Sequence, residues 1–232
     1  MKPAQVLFLD SASIDDAAAA AAMGIVAGIT TNPTLLAREG APPGEQLRGL
    51  FDAFPGLVFY QPLSTDPAVA RREIDGLMEV GRGRLVAKLP ATEEMFGLAA
   101  SIVREGEVPC AITAVYSPQQ VMLAAAAGAD WVIPYVNRAK RLMEGGDELV
   151  ARLAAVTRTL SQRPRILAAS VKSADEAVEA LSHGSDAVSL PMDVLRNLSE
   201  HELSRTAIEA FSDDGAALVR TVEAGEGSRK GS

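Results

Sequence analysis

The stretch "RLVAKLPAT", residues 84–92, sets the amine of Lys88 among Val86, Ala87 and Leu89. An ammonium among apolar neighbours is costly, so burial drives it toward the neutral amine. A neutral amine attacks a carbonyl carbon to give a Schiff base. The other reading is a strand-end lysine whose stem covers apolar surface while its head reaches water. Its companions bear on the choice. Asp10 closes the run "VLFLD" as a candidate proton carrier, and "GITTNP" offers Thr30 and Asn32 as candidate contacts for substrate hydroxyls. Gln61, Thr113 and Tyr135 together could hold a water where protons move during imine formation and carbon–carbon cleavage. Each has a plainer role open to it: Asp10 as a helix cap, Thr30 as a strand residue, Tyr135 as a core aromatic with a wet hydroxyl. Arg138, Ser170 and Lys172 offer a guanidinium, a hydroxyl and an ammonium. That set suits the phosphate of a phosphorylated sugar, although the two cations could equally serve surface ion pairs.

Side chains so far apart in sequence meet only if the fold gathers strand ends. Short aliphatic runs recur at "VLFL", "GIVAGIT", "LVFY", "RLVAKL", "VPCAIT", "DWVIPY", "RILAAS" and "DAVSL". Segments of helical spacing lie between them, several opening on Ser or Asp and closing on Gly. About eight such β–α units with strands apolar on both faces predict a single-domain (β/α)8 TIM barrel rather than a doubly wound sheet. No Gly-rich dinucleotide fingerprint or P-loop accompanies any strand. The chemistry of such a barrel collects at the C-terminal ends of its strands. All the candidates fall there, including Asn137, which the sixth strand delivers with Tyr135 and Arg138. Residues 1–200 are read as the barrel, 201–223 as an additional C-terminal helix, and 224–232 as a frayed tail.

The composition narrows the function. The chain has 232 residues, a net charge of -8 and 22% charged residues, with aromatics at only 4%, so the core is aliphatic and alanine-rich. The acidic balance argues against nucleic acid or an anionic membrane as partner. The single cysteine, Cys110, excludes an internal disulfide framework and a Cys-based zinc site, and in "EVPCAIT" it reads as a small buried hydrophobe. His183 and His201 have no second ligand at metal spacing, so the expectation is a site without metal or cofactor. The apolar stretch near the N-terminus is too short for a signal peptide. The longest apolar region, broken by Asp130, falls short of the about 20 residues a membrane helix needs. A soluble, cytoplasmic protein acting on a small molecule is expected.

The segments "GITTNPTLL", "LVAKLPAT", "PCAITAVYSPQQ", "AAGADWVIPYVNR", "ILAASVKSADEA" and "AVSLPMDVL" resemble, in order and over nearly the whole chain, the small transaldolase family that includes fructose-6-phosphate aldolase. The resemblance implies a class I aldolase barrel in which Lys88 forms the imine with a ketose or dihydroxyacetone. By position it implies that Asp10 is the acid–base aspartate, that Asn32 binds substrate hydroxyls, that Thr113 helps hold the catalytic water, and that Arg138, Ser170 and Lys172 bind the acceptor's phosphate. Transaldolases of this family usually carry a glutamate at the third strand end and a phenylalanine at the sixth. Gln61 and Tyr135 instead match the aldolase branch, which releases dihydroxyacetone, with transfer to a second aldose as the alternative. Ile133 and Ala111 depart from the usual pattern and put substrate preference in doubt. The resemblance also implies a homo-oligomer, a pentameric ring or decamer, assembled through the late helix with Leu203, Ile208, Phe211, Leu218 and Val219.

Overall fold

The computed structural model describes residues 6–229 apart from Arg82 and Glu107. Eight parallel strands close into a barrel in sequence order: β1 (Leu7–Asp10), β2 (Gly28–Thr30), β3 (Leu57–Tyr60), β4 (Leu85–Pro90), β5 (Cys110–Val115), β6 (Trp131–Pro134), β7 (Arg165–Ala168) and β8 (Ala187–Leu190). The ladder closes where Phe8 of β1 registers with Ser189 of β8 on one side and Gly28 of β2 on the other. This is the expected (β/α)8 barrel.

Helices α1 (Ile14–Met23), α2 (Pro33–Glu39), α3 (Pro43–Ala53), α4 (Pro67–Gly81), α5 (Glu93–Glu105) and α6 (Pro118–Ala126) join the first six strands. Beyond β6 come α7 (Val136–Leu142), α8 (Leu149–Thr157), α9 (Ala174–Ser182) and α10 (Met192–Asn197). Their ends follow local chemistry. Ser13, Asn32, Thr92 and Ser173 each accept a backbone N–H of the first turn of α1, α2, α5 and α9, while α6 opens on a capping box of Ser117 and Gln120. At the other end of α5, Gly106 adopts φ 72°, where a Cβ would be strained, and its N–H closes onto the Ile102 and Val103 carbonyls.

Side chains alternate across each strand, and the two faces bury different cores. Leu9, Ile29, Val58, Ala87, Ile112 and Val188 point outward and pack under the helices. The inward set holds Phe8, Phe59, Val86, Trp131, Leu167 and Ala187. Phe8, Phe59 and Trp131 meet edge to face with centroids 5.4–5.9 Å apart, filling the lower barrel. Gly28 is a condition of that packing, because a Cβ there would lie 2.8 Å from the Phe8 ring and 2.9 Å from the Leu57 carbonyl oxygen. Two residues further along β1, β2, β3, β4, β5 and β8, the same parity delivers Asp10, Thr30, Gln61, Lys88, Thr113 and Ser189. The barrel interior is thus apolar below and polar above. Cys110 belongs to the outward face and is fully buried, which pushes its thiol up to about 12. A thiol so held is not a nucleophile at neutral pH.

The barrel forms one compact unit through Leu195, and a second begins at Arg196 and contains α11 (Glu202–Arg229). The helix continues past 223, where the sequence reading placed a frayed tail, and residues 230–232 lie outside the described residues. Nothing in "EAGEGSR" is a proline, and its two glycines weaken a helix without stopping it. Leu203, Ile208, Phe211 and Leu218 are each at least 66% exposed within this chain, whereas the side chain of Val219 is not among those described. Among the described residues, no helix is long and apolar enough to cross a membrane.

Candidate active site

At the C-terminal face the polar layer opens into a cavity of about 420 Å³. Lys88 lies at its base, 3% exposed. Among the described residues its Nζ makes one hydrogen bond, donated to the Thr31 carbonyl oxygen at 2.7 Å, so one carbonyl anchors the side chain without neutralising it. Burial lowers its pKa from 10.5 to about 8, against the attraction of Asp10, which acts the other way. Roughly one amine in ten is then unprotonated at pH 7, a few hundred times the fraction for an ordinary lysine. Of the two roles open to Lys88 in the sequence, the solvent-reaching one is excluded by this burial.

Asp10, at the end of β1, is perturbed in the complementary direction. Burial raises its carboxyl above the usual range, more strongly than Lys88, the hydrogen bond from Thr30 and the charge of Lys172 pull it down. The two groups make no direct ion pair, and for both of them desolvation outweighs mutual attraction. Desolvation thus disposes each group toward its neutral form instead of locking the two as a salt bridge. The helix-cap role open to Asp10 is taken by Ser13. Thr30 Oγ1 donates to Asp10 Oδ1 at 3.0 Å and lies 2.6 Å from Ser189 Oγ.

Across the cavity, Thr113 Oγ1 donates to the Tyr135 hydroxyl at 3.1 Å. Tyr135 thereby accepts and keeps its own proton to donate, and burial, first among several influences, raises its pKa. A backbone irregularity sets this contact up. The β5–β6 register shifts between Thr113 and Val115, and Ala114 takes φ 58°, rare outside glycine. Strand five therefore continues past Thr113 to Val115. Thr113 is fully buried behind Tyr135 and does not itself line the cavity. Gln61 does, and its Oε1 is buried with no protein partner. An unmet buried acceptor costs about 1–3 kcal/mol, which a bound water or substrate hydroxyl would relieve.

The outer rim is cationic. Arg138, Ser170 and Lys172 line it, the Arg138 guanidinium lying 5.1 Å from the centre of the Tyr135 ring. Ser170 is held at φ 61°, a second non-glycine residue in the left-handed region beside the cavity. Lys172 donates its backbone N–H to Glu176 at 2.8 Å and leaves its ammonium to the rim. Asn137, expected with this group, turns away: its Nδ2 donates to Glu176 Oε1 at 2.7 Å and ties α7 to α9. Asn32 lines the cavity, but its Oδ1 caps α2 by accepting the Leu35 N–H at 3.0 Å, so only its NH2 is left for a ligand.

Of the eleven candidate residues named from the sequence, nine line one cavity, Thr113 supports one of the nine, and Asn137 turns away to Glu176. Three contributors escaped the sequence reading. The Thr31 carbonyl is a backbone group that no side-chain pattern announces. Ser189 was visible in "DAVSL" as an inward polar residue of the eighth strand, in register with Phe8. Arg38 reaches the cavity on the same face of α2 as Thr34 and Leu35, at i+4 and i+3, and that helix was not anticipated. A further concavity of about 540 Å³ at the N-terminal face is lined in part by Trp131, Arg163 and Arg165. Arg163 is engaged there by Asp186 at 2.6 Å, and that end of a barrel serves stability.

Comparison with known proteins shows the family. A family profile described as transaldolase/fructose-6-phosphate aldolase matches residues 61–225. A probable transaldolase of Aquifex aeolicus is 34% identical over 208 residues, covering 89% of this chain and 94% of the relative. One from Kosmotoga olearia is 33% identical over 208 residues, covering 90% and 94%. Solved structures of a mandelate oxidase mutant and a mutant flavocytochrome b2 match with TM-scores of 0.56 and 0.58 at 13% and 15% identity. They cover 81% and 82% of this chain but only 64% and 57% of those structures' own length, so that likeness is one of barrel architecture alone. With the matched profile spanning the lysine strand and most of the cavity wall, the chain belongs to the transaldolase/fructose-6-phosphate aldolase family.

Proposed function

We propose that the protein is a class I aldolase that makes or breaks a carbon–carbon bond between dihydroxyacetone and an aldehyde such as glyceraldehyde 3-phosphate. The observation that carries this reading is the buried Lys88 amine, with its pKa lowered to about 8 beside a carboxyl whose pKa is raised. In the cleavage direction, the amine adds to the ketose C2 carbonyl to give a carbinolamine, and loss of water leaves a protonated imine. Asp10 gives and takes the protons of these steps, then accepts the proton of the C4 hydroxyl. The C3–C4 bond breaks, its electron pair flows into the imine to form an enamine, and the aldehyde leaves. Protonation of the enamine at C3 from water held at Gln61 and Tyr135, followed by hydrolysis, frees dihydroxyacetone and regenerates Lys88. Arg138, Ser170 and Lys172 take the acceptor's phosphate, and the NH2 of Asn32 takes a substrate hydroxyl.

A second reading, transfer of the three-carbon unit to another aldose, is favoured by the names of the relatives, which are called probable transaldolases. The neutral Gln61 and the Tyr135 hydroxyl favour release, because Gln61 can hold a water by its unmet Oε1 and Tyr135 can pass a proton through that water to the enamine. Two measurements decide. Borohydride added with dihydroxyacetone should fix a three-carbon adduct on the peptide carrying Lys88, and an unmarked lysine would defeat both readings. Free dihydroxyacetone formed from fructose 6-phosphate without added acceptor supports the aldolase, whereas product appearing only with an acceptor aldose supports transfer.

A further inference from the structure

The geometry points to Ser189 as a positioning residue that fixes the direction of the hydroxyl chain Ser189–Thr30–Asp10 and so keeps the carboxyl's mobile proton on Oδ2. This rests on the aldolase reading for its catalytic consequence but on contacts alone for its structural content. The chain crosses three neighbouring strands, since β1 pairs with both β2 and β8. Thr30 has one hydroxyl hydrogen, and Asp10 Oδ1 takes it at 3.0 Å when the carboxyl is ionised. The 2.6 Å contact between Thr30 Oγ1 and Ser189 Oγ then requires Ser189 to donate.

Reversal is costly. A proton placed on Asp10 Oδ1 would have to be donated to Thr30, turning the Thr30 hydrogen toward Ser189. Ser189 is fully buried and, among the described residues, its hydroxyl has no other hydrogen-bond partner, so its own hydrogen would be left without an acceptor. The proton therefore resides on Oδ2, which has no partner among the described residues and belongs to a residue lining the cavity. Thr30, expected from sequence to contact substrate, has its hydroxyl committed on both sides to this task. The other charged or titratable groups facing Asp10 are Lys88 from β4, Lys172 beyond β7 and Tyr135 beyond β6, and none of them is a member of the chain.

The test compares the wild type with Ser189→Ala and Ser189→Thr, the latter restoring a hydroxyl. The Asp10 carboxyl is followed by carbon NMR of aspartate-labelled protein, assigned with Asp10→Asn. Ser189 polarises the Thr30 hydroxyl, which strengthens its bond to the ionised carboxylate, so its removal should raise the Asp10 titration midpoint by roughly 0.3–0.5 pH. In the same variant kcat should fall about threefold or more with KM within about twofold, and its pH profile should shift with the midpoint. Ser189→Thr should return both. An Asp10 titration unchanged in Ser189→Ala, or a Ser189→Thr variant impaired like Ser189→Ala, overturns the assignment and leaves Ser189 a packing residue. The titration needs no turnover, so a wild type that borohydride leaves unmarked refutes the aldolase reading while the NMR result still decides the role of Ser189.

Discussion

Replacing Lys88 by methionine keeps the length and most of the volume of the side chain while removing its charge. The drop in pKa from 10.5 to about 8 corresponds to about 3 kcal/mol of stability forgone at neutral pH, at about 1.4 kcal/mol per tenfold. The sign follows from proton counting. Between about pH 8 and 10.5 the unfolded chain holds a proton on this amine that the folded protein has released, so the wild type gains stability as pH rises through that window. Below pH 8 both states are protonated and the whole penalty stands. Methionine abolishes the penalty but also loses the charge-assisted bond to the Thr31 carbonyl, worth about 1.5–3 kcal/mol. The net expectation is a Lys88→Met protein that is inactive yet as stable as wild type at pH 7, or up to about 1.5 kcal/mol more stable. The sharper readout is the pH dependence. Urea unfolding at pH 7 and pH 10 should show the wild type gaining up to about 3 kcal/mol relative to Lys88→Met. Parallel behaviour at the two pH values would refute the claim that desolvation of this amine dominates its chemistry.

Three other outcomes are expected. Asp10→Asn should lower kcat by about 10²–10⁴. Because the native carboxyl is raised above its unfolded value of 3.8, the wild type should lose stability as pH climbs from near 4 through its raised midpoint, and denaturation of the asparagine variant should lack that loss. Tyr135→Phe removes the donor that Thr113 supports; release of dihydroxyacetone should slow by about tenfold or more while borohydride trapping at Lys88 persists, as paired product and mass measurements would show. Arg138→Gln should raise KM for a phosphorylated acceptor by about tenfold and leave that for an unphosphorylated aldehyde within about twofold. The same comparison with Arg38→Gln tells whether α2 shares in holding the anion.

Much of this was legible in the sequence, for reasons that differ by residue. The barrel could be read because eight apolar runs separated by capped helices leave few other ways to bury both faces of every strand. Asp10 and Gln61 could be read because each follows its apolar run where a strand ends, and Lys88 because its charge interrupts an apolar run inside β4. Asn137 and Thr113 show the limit. A one-residue step past β6 sends Arg138 to the rim and Asn137 to Glu176, and only backbone direction decides between them. The bulge at Ala114 carries no signal in "CAITAV", since nothing in alanine favours a positive φ. Arg38 was hidden for another reason: α2 is an additional helix after β2, and a plain β–α alternation has no place for it.

The edge-to-face trio of Phe8, Phe59 and Trp131 stoppers the barrel beneath Lys88. On the aldolase reading, ketose, expelled aldehyde, hydrolytic water and liberated dihydroxyacetone would therefore all share the opening at the C-terminal face. Departure of the aldehyde is then a condition for the next reactant to arrive, and an aldehyde that lingers at the cationic threshold bars solvent from the enamine behind it. Traffic through that opening, as much as the chemistry at its far end, can govern whether the three-carbon fragment is set free or handed on.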